Sequence, residues 1–343
     1  MLTLLLGLSA QLSALDQALA DFYAKGQVAG VSVAIMDGDR VVYSNQAGYS
    51  DAAKKHHVRA DTLIRLGSIS KSVASVGAMK LVEQRKLNLD EGIRTYVSQW
   101  PSDRPQVTLR QLMSHTAGVR HYKPIGPDPT GHSLKAYSRA TDALPLFIKD
   151  PLINEPGTKY QYSTHAFTIV AAAMESVTNQ SFTNYMRGNV FSYAGKGGLD
   201  CEVVSDKRPN RSDVFEFAGG AVKQAGARED NSWKYAGGGL EATAVGLARF
   251  ATNLLVGKIV NANSLKELWT PAKLKDGSLT TYGLGFGIGK EGFVSHSGAQ
   301  QGCRTAMVID RTGKRVVVVL TNTSGQHNPV ALAESLLLAS IPK

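Results

Sequence analysis

The fold is inferred from the segment Leu66-Gly67-Ser68-Ile69-Ser70-Lys71-Ser72 and the apolar run Val73–Leu81 that follows it. The run predicts a helix, and residues three apart on a helix share one face, so Ser68 and Lys71 should lie one turn apart. An amine beside a hydroxyl can activate serine as a nucleophile. A bare Ser-x-x-Lys is weak evidence, because chance supplies roughly one or two in a chain of this length. A second match, Ser340-Ile341-Pro342-Lys343, contains a proline that forbids a continuous helix.

The composition is that of an ordinary globular enzyme. The 343 residues are 43% hydrophobic and 19% charged, and the net charge is +10. The positive charge favours association with anionic surfaces, but there is no block of five like charges, so we expect no specific nucleic-acid partner. Cys201 and Cys303 are the only cysteines, which excludes a disulfide framework and any Cys-x-x-Cys metal or redox motif.

Residues 1–10 have two interpretations. The apolar run Leu2–Leu8 and the small residues around it resemble the end of a signal-peptide core, but a positive n-region is lacking. The segment is therefore either a truncated export signal or the start of the first helix. We expect export to a bacterial periplasm or cell envelope, with the cytoplasm as the alternative.

Periodicity predicts strands at both ends of the chain and helices between them. A helix at Ser13–Lys25 precedes a hairpin of Val31–Met36 and Arg40–Tyr43. Further helices are predicted at Ser72–Gln84, Leu109–Ser114, Ala166–Val177, Phe182–Val190, Ala242–Leu255 and Pro329–Ala339. Further strands are predicted at Tyr282–Ile288, Gly292–His296, Arg304–Asp310 and Arg315–Thr321. The Pro- and Gly-rich loop Lys123–His132 is long enough to suggest a functional role.

This order predicts an α/β (α+β) fold with a mainly antiparallel sheet built from the N- and C-terminal segments and flanked by helices. Residues 11–343 form one catalytic domain in this interpretation. Its α/β lobe comprises about 11–70 and 240–343, and a mainly helical lobe, about 71–239, is inserted between them. A cleft between two lobes is a common place for a small-molecule site.

A serine–lysine hydrolase also requires a second proton-transfer group, and Tyr162 is the candidate. The segment Pro156–Thr164 is typical of a turn that enters a helix and presents Tyr162 at the junction. A nearby lysine ammonium would lower the pKa of this tyrosine and let it take the Ser68 proton. Activity should then rise above neutral pH. In isolation, an aromatic residue packed beneath a loop is the simpler interpretation.

The segment Ser295-His296-Ser297-Gly298-Ala299 lies at the end of a predicted strand. A small, glycine-bearing strand edge lets a substrate carbonyl approach the backbone. The backbone N–H groups of Ser68 and Ala299 would then form an oxyanion hole. Taken alone, His296 would be an ordinary loop histidine.

Together these segments resemble the three motifs of the serine β-lactamase-like family: Gly67–Lys71, Tyr162-Ser163-Thr164 and His296-Ser297-Gly298. That family includes class C β-lactamases, D-alanyl-D-alanine carboxypeptidases, esterases of that fold and mitochondrial β-lactamase-like proteins. The flanks Thr108–Gly118, Trp233–Leu240 and Tyr282–Phe286 are similar as well, and the resemblance extends over about residues 21–338.

The resemblance implies a β-lactamase/transpeptidase-like fold and a metal-independent hydrolase without a cofactor, acting on a small molecule or short peptide. Ser68 would be acylated, with Lys71 and Tyr162 as the activating pair. Thr164, His296, Ser297 and Gly298 would bind substrate.

Two of these positions depart from the family pattern. Thr164 replaces an asparagine that would grip a substrate amide, and His296 replaces a lysine that would meet a substrate carboxylate. Both departures favour an ester or D-amino-acid peptide over a β-lactam as substrate. His115 and His121 are expected to be structural or to line the cleft.

Other classes of protein lack their main sequence support. No Gly-x-Ser-x-Gly, His-Glu-x-x-His or Gly-x-x-x-x-Gly-Lys-Ser/Thr occurs, which argues against an α/β-hydrolase, a zinc protease and a P-loop protein. The alternative function is a non-catalytic protein of the same fold that binds cell-wall peptides or acts as a scaffold. The presence of Ser68, Lys71 and Tyr162 together argues against it.

Overall fold

The computed structural model describes residues 2–123, 128, 130–289 and 292–340, with the side chains of residues 2–10 excluded. Residues 124–127 and 129 of the predicted loop, and 341–343 of the second Ser-x-x-Lys match, lie outside the described residues. The helices are α1 Leu2–Ala24, α2 Ile69–Glu83, α3 Leu109–Met113, α4 Ala140–Ala143, α5 Thr164–Thr178, α6 Phe182–Asn189, α7 Tyr235–Gly238, α8 Ala244–Leu255, α9 Ala262–Leu268 and α10 Pro329–Ser340. The strands are β1 Gly30–Asp37, β2 Arg40–Gly48, β3 Ile64–Arg65, β4 Leu199–Cys201, β5 Phe215–Ala218, β6 Ala221–Gln224, β7 Leu240–Ala242, β8 Gly287–Ile288, β9 Phe293–Gln300, β10 Cys303–Asp310, β11 Arg315–Thr321 and β12 Thr323–Ser324.

The main sheet has six strands in the order β2-β1-β11-β10-β9-β8, and every neighbouring pair is antiparallel. Both ends of the chain contribute to its centre, where Val33 of β1 lies opposite Val319 of β11. The predicted mainly antiparallel sheet, flanked by helices, is thereby confirmed. Two smaller sheets, β3-β7-β4 and β12-β5-β6, complete the fold.

Both faces of this sheet are covered. Val31, Val33 and Ile35 belong to the core cluster that packs beneath α1 and α10, whereas Ala34 and Met36 belong to the cluster that contains the apolar side chains of α2 and α8. Successive side chains of a strand point to opposite faces, so a strand buried on both sides is apolar throughout. This explains the apolar run Val33–Met36 in β1.

Helix α2 lies at the centre of the molecule. Its residues from Ile69 to Met79 are all buried, with Lys71 and three serines among them. It contacts α5, α7 and β9, which come from distant parts of the chain. A helix surrounded in this way holds its first turn rigidly, and Ser68 lies at that turn.

Two sequence predictions differ from the structure. The strand predicted at Tyr282–Ile288 is wrong except for Gly287–Ile288, because Gly285 takes a left-handed conformation (φ +80°) and turns the backbone toward α2. A Cβ at Gly285 would lie 2.2 Å from Ser75 Oγ, so this glycine permits the close packing of the segment against α2. In addition, the segment 71–239 contains the unpredicted short strands β4, β5 and β6.

None of the helices in the described residues combines the length and the apolar character that crossing a membrane requires.

Candidate active site

Ser68 is the N-cap residue of α2, and its hydroxyl does not cap the helix. Gly67 before it is left-handed (φ +55°), and a Cβ there would lie 2.9 Å from the backbone nitrogen of Ala299. A Cβ at Gly298 would lie 2.0 Å from the carbonyl oxygen of Leu66. The two glycines therefore permit the close approach of the serine loop to β9, and this approach brings Ala299 beside Ser68.

Lys71 lies one turn below Ser68 and is completely buried. Its Nζ is 3.1 Å from Ser68 Oγ, 3.2 Å from Thr164 Oγ1 and 2.6 Å from the carbonyl oxygen of Gly237. A neutral amine has two N–H donors and one lone pair. An ammonium would donate to all three oxygens, whereas a neutral amine would donate to Gly237 and Thr164 and keep its lone pair for the Ser68 hydroxyl.

The protonation of Lys71 follows from its surroundings. Burial, together with the positive charge of Lys234, holds the pKa of Lys71 well below its usual range. Among the described residues no carboxylate opposes this effect, since burial and Lys234 are the influences on the pKa of Lys71. The amine is therefore available as a base for the Ser68 proton.

Tyr162 comes directly before α5, as the sequence predicted. Ser163 caps that helix by accepting a hydrogen bond from the Ala166 N–H at 3.1 Å. The Tyr162 ring centroid is 4.8 Å from Lys71 Nζ. Burial raises the pKa of Tyr162, although a hydrogen bond with the Ser68 side chain lowers it. The predicted lowering of this pKa is therefore wrong, and the group is a protonated phenol.

Two histidines secure the start of α5. His115 Nδ1 accepts a hydrogen bond from the Ser163 N–H, and His121 Nδ1 accepts one from the Thr164 N–H, each at 3.2 Å. Burial lowers the pKa of both, that of His121 to about 4, and both are therefore neutral acceptors at neutral pH. The His115 ring also packs 4.3 Å from the Tyr162 ring, centroid to centroid. These contacts support the structural role expected for both residues, and His121 lines the cleft as well.

His296 does not occupy the substrate-facing position that the sequence suggested. It points inward from β9, because the alternation of that strand buries His296 and Gly298 and exposes Ser297. Its Nδ1 is 2.7 Å from the carbonyl oxygen of Ser297 and its Nε2 is 2.7 Å from Tyr282 Oη. The carbonyl can only accept, so Nδ1 carries the proton and Tyr282 donates to Nε2. Burial lowers the pKa of His296 to about 3, which leaves it neutral.

A cleft of about 550 Å³ opens beside Ser68. Of the predicted site residues, Ser68, Thr164 and Ala299 line it, whereas Lys71, Tyr162, His296, Ser297 and Gly298 do not. Its wall is completed by His121, Tyr122, Lys123, Asp128, Gly131, His132, Glu229, Lys234, Gly237, Gly238, Gln300 and Gln301.

Sequence reasoning did not assign roles to Lys234 and Gly237. Gly237 supplies the carbonyl oxygen that accepts from Lys71, and Lys234 contributes a buried side chain to the cleft. The only sequence signal for them was their position in Trp233–Leu240, a segment that resembles the corresponding segment of the family. Thr164, which lines the cleft, also accepts a hydrogen bond from Lys71 Nζ and so helps to position the amine.

The chain is similar to the mitochondrial serine beta-lactamase-like protein LACTB of Homo sapiens, with 26% identity over 72% of the chain. It spans 59% of the length of that protein and 60% of its Mus musculus counterpart.

Two solved structures share the fold. The D-amino acid amidase from Ochrobactrum anthropi SV3 in complex with D-phenylalanine superposes with a TM-score of 0.81 at 20% identity, covering 96% of this chain and 98% of the amidase. EstCE1, described as a hydrolase with promiscuous acyltransferase activity, superposes with a TM-score of 0.78 at 21% identity, covering 97% of this chain and 98% of EstCE1. The family model for beta-lactamase matches residues 15–340. The chain therefore belongs to the beta-lactamase family, whose fold brings Ser68 and Lys71 together.

Proposed function

We propose that this protein is a serine hydrolase that forms a covalent acyl-enzyme on ester or amide substrates. The observation that carries the proposal is the 3.1 Å contact between Ser68 Oγ and the Nζ of Lys71, a buried amine whose pKa is lowered. A neutral amine beside a serine hydroxyl can act as its general base.

In the acylation step, Ser68 Oγ attacks the substrate carbonyl and its proton moves to Lys71 Nζ. The carbonyl oxygen becomes an oxyanion between the backbone N–H groups of Ser68 and Ala299. Collapse of this intermediate breaks the ester or amide bond, and Tyr162 Oη donates its proton to the leaving group. The Lys71 ammonium then returns a proton to Tyr162, which leaves the amine neutral again.

Deacylation reverses these roles. Water attacks the acyl-enzyme carbonyl and gives one proton to Lys71, the oxyanion forms again between Ser68 and Ala299, and the ester bond to Ser68 Oγ breaks. Ser68 recovers its proton from the Lys71 ammonium. The same two backbone donors and the same amine therefore serve both halves of the reaction.

We place small acyl esters and D-amino-acid peptides or amides ahead of β-lactams as substrates. The Thr164 hydroxyl contacts Lys71, and His296 is neutral and buried. Position 164 therefore lacks the side-chain amide of the family pattern, and position 296 lacks its fixed positive charge. Two structural relatives, EstCE1, a hydrolase with promiscuous acyltransferase activity, and the D-amino acid amidase, support this order.

A fluorophosphonate probe and a substrate panel test the proposal. The panel contains p-nitrophenyl esters, D-alanyl peptides, a D-amino-acid amide and a chromogenic cephalosporin. We expect covalent labelling and turnover of at least one ester or amide. A protein that is not labelled and turns over none of the substrates would be the non-catalytic binding or scaffold protein instead.

Replacing Tyr162 by phenylalanine should lower kcat by about 10²-fold or more, because the leaving group loses its proton donor. The ring is retained, so its packing against His115 should survive. The neighbouring Tyr160→Phe is the matched control, since Tyr160 is 41% exposed and contacts no reacting group. Steady-state kinetics of both variants on one ester provide the measurement. Equal kcat values would remove Tyr162 from the proton-transfer role.

The pH dependence of kcat/KM should follow Lys71 and Tyr162. Lys71 must be neutral, so activity is lost as pH falls through its lowered pKa, and this acid limb lies well below the ordinary lysine value of 10.5. Tyr162 must be protonated, and its raised pKa moves the alkaline limb upward. We therefore expect a plateau across neutral pH. A rate that climbs steadily to about pH 10 would show that Lys71 keeps an ordinary pKa.

A further inference from the structure

Lys234 brings an ammonium group into the cleft wall beside the reacting serine. It ends the short 3₁₀ helix Ser232–Lys234 and is only 5% exposed. Its aliphatic stem lies against Gly238, where an added Cβ would be 3.7 Å from Cδ and 3.8 Å from Cε. Both residues line the same cleft as Ser68.

The charge of Lys234 has no acidic partner in the part of the chain that the structure describes. Its Nζ donates to Tyr122 Oη at 2.9 Å and lies 5.4 Å from the ring centroids of Tyr122 and Trp233. The adjoining positions 124–127 and 129, outside the described residues, are Pro, Ile, Gly, Pro and Pro, and so hold no carboxylate side chain.

The two carboxylates in the cleft wall are already engaged. Asp128 pairs with Arg120 at 3.0 Å, and Glu229 contacts His132. A buried ammonium without a counter-ion is costly, and that cost is removed when an anion binds. Lys123, the other lysine of the cleft wall, is exposed and hydrated.

We infer that Lys234 binds a carboxylate of the substrate, so that the site prefers esters or amides that carry a negative charge. The inference rests on the proposed function, since it names the substrate class of the same site. A carboxylate oxygen in the cleft would accept a charge-assisted hydrogen bond from Nζ, while Tyr122 holds the ammonium in place. Lys234 thus takes over the charge recognition that the neutral, inward-facing His296 does not provide.

Two pairs of matched esters test the inference. Mono-p-nitrophenyl adipate and p-nitrophenyl butyrate differ by a carboxylate on the acyl side, and 4-carboxyphenyl butyrate and phenyl butyrate differ by one on the leaving group. In Lys234→Met the kcat/KM ratio of anionic to neutral ester should fall by about tenfold or more in at least one pair. Lys234→Arg, which keeps the charge, should restore most of that ratio. Unchanged ratios in both pairs for Lys234→Met would overturn the inference.

Lys80→Met is the matched control. Lys80 is also partly buried, donates to a carbonyl oxygen, that of Ile259, at 3.3 Å, and lies 5.4 Å from the ring centroid of Tyr193, but it does not line the cleft. Its replacement should leave both ratios unchanged. All rates are measured on the pH plateau of each variant, because removing the Lys234 charge should raise the pKa of Lys71.

Binding without turnover separates the inference from the proposed function. In a Ser68→Ala background, calorimetry with 4-carboxyphenyl butyrate and mono-p-nitrophenyl adipate should show at least one affinity that falls about tenfold or more when Lys234→Met is added. Equal affinities for both esters would overturn the inference and leave the chemistry of Ser68 untouched. Affinity that depends on Lys234, in a parent protein that is neither labelled by the fluorophosphonate nor active on any ester, peptide or amide of the panel, would overturn the proposed function and retain the inference.

Discussion

Replacing Ser68 by alanine should lower kcat for ester hydrolysis by roughly 10⁴-fold or more and abolish labelling by a fluorophosphonate. The acyl-enzyme requires the Ser68 oxygen. Without it, only direct attack of water on the substrate remains, and no covalent intermediate forms. The hydroxyl does not cap α2, and its removal leaves Lys71 with its contacts to Thr164 and Gly237. The variant should therefore fold, which a thermal unfolding curve can verify.

Ser75→Ala is the control for this experiment. Ser75 lies on the same helix, and its Oγ is buried without a hydrogen-bond partner among the described residues. Loss of that hydroxyl should leave labelling and turnover intact and should not destabilise the protein, since no hydrogen bond is lost. A Ser68→Ala protein that is still labelled or still turns over ester at the parental rate would exclude Ser68 as the nucleophile.

Replacing Lys71 by methionine should lower kcat by between about 10² and 10⁴-fold, the scale of general-base catalysis. Methionine has a similar length and no basic nitrogen. Lys71→Arg is the more informative variant, because arginine keeps a positive charge at any accessible pH and cannot act as a base. If Lys71 works as a neutral amine, arginine should be as inactive as methionine.

The two variants of Lys71 are compared by kcat on one ester and by single-turnover labelling. Parent-like activity in Lys71→Arg would mean that position 71 supplies charge and not a base. Both proteins are checked for folding, because each change leaves the buried carbonyl oxygen of Gly237 with a different partner. A folded, inactive Lys71→Arg supports the assignment of the base.

Much of the secondary structure was predictable because it depends on local patterns. The predicted helix at Ala166–Val177 is α5, Thr164–Thr178, and the predicted strand Arg315–Thr321 is β11 with the same bounds. The segment Tyr282–Phe286 was not predictable in this way. Gly283 and Gly285 alternate as strand residues would, but Gly285 is left-handed and packs against Ser75 of α2, which is distant in the sequence.

The residues of the candidate site were predictable from the sequence, but their pKa shifts and orientations were less so. Ser68, Lys71 and Tyr162 are brought together as expected from the motif order. The pKa of Tyr162 moves in the opposite direction to the one predicted, because burial outweighs the influence of neighbouring groups. His296 was expected to face the substrate, whereas the alternation of β9 turns it inward.

The sequence by itself determined the family, the antiparallel sheet and the spacing of Ser68 and Lys71, since these follow from local periodicity and from short motifs in a fixed order. Tertiary structure decided which groups are charged and which face the cleft. The pKa of Lys71 is lowered because residues of α5 and α7 bury its amine, and Lys234 enters the cleft because Gly238 leaves room for its stem. Desolvation depends on atoms that are distant along the chain, so no local pattern records it.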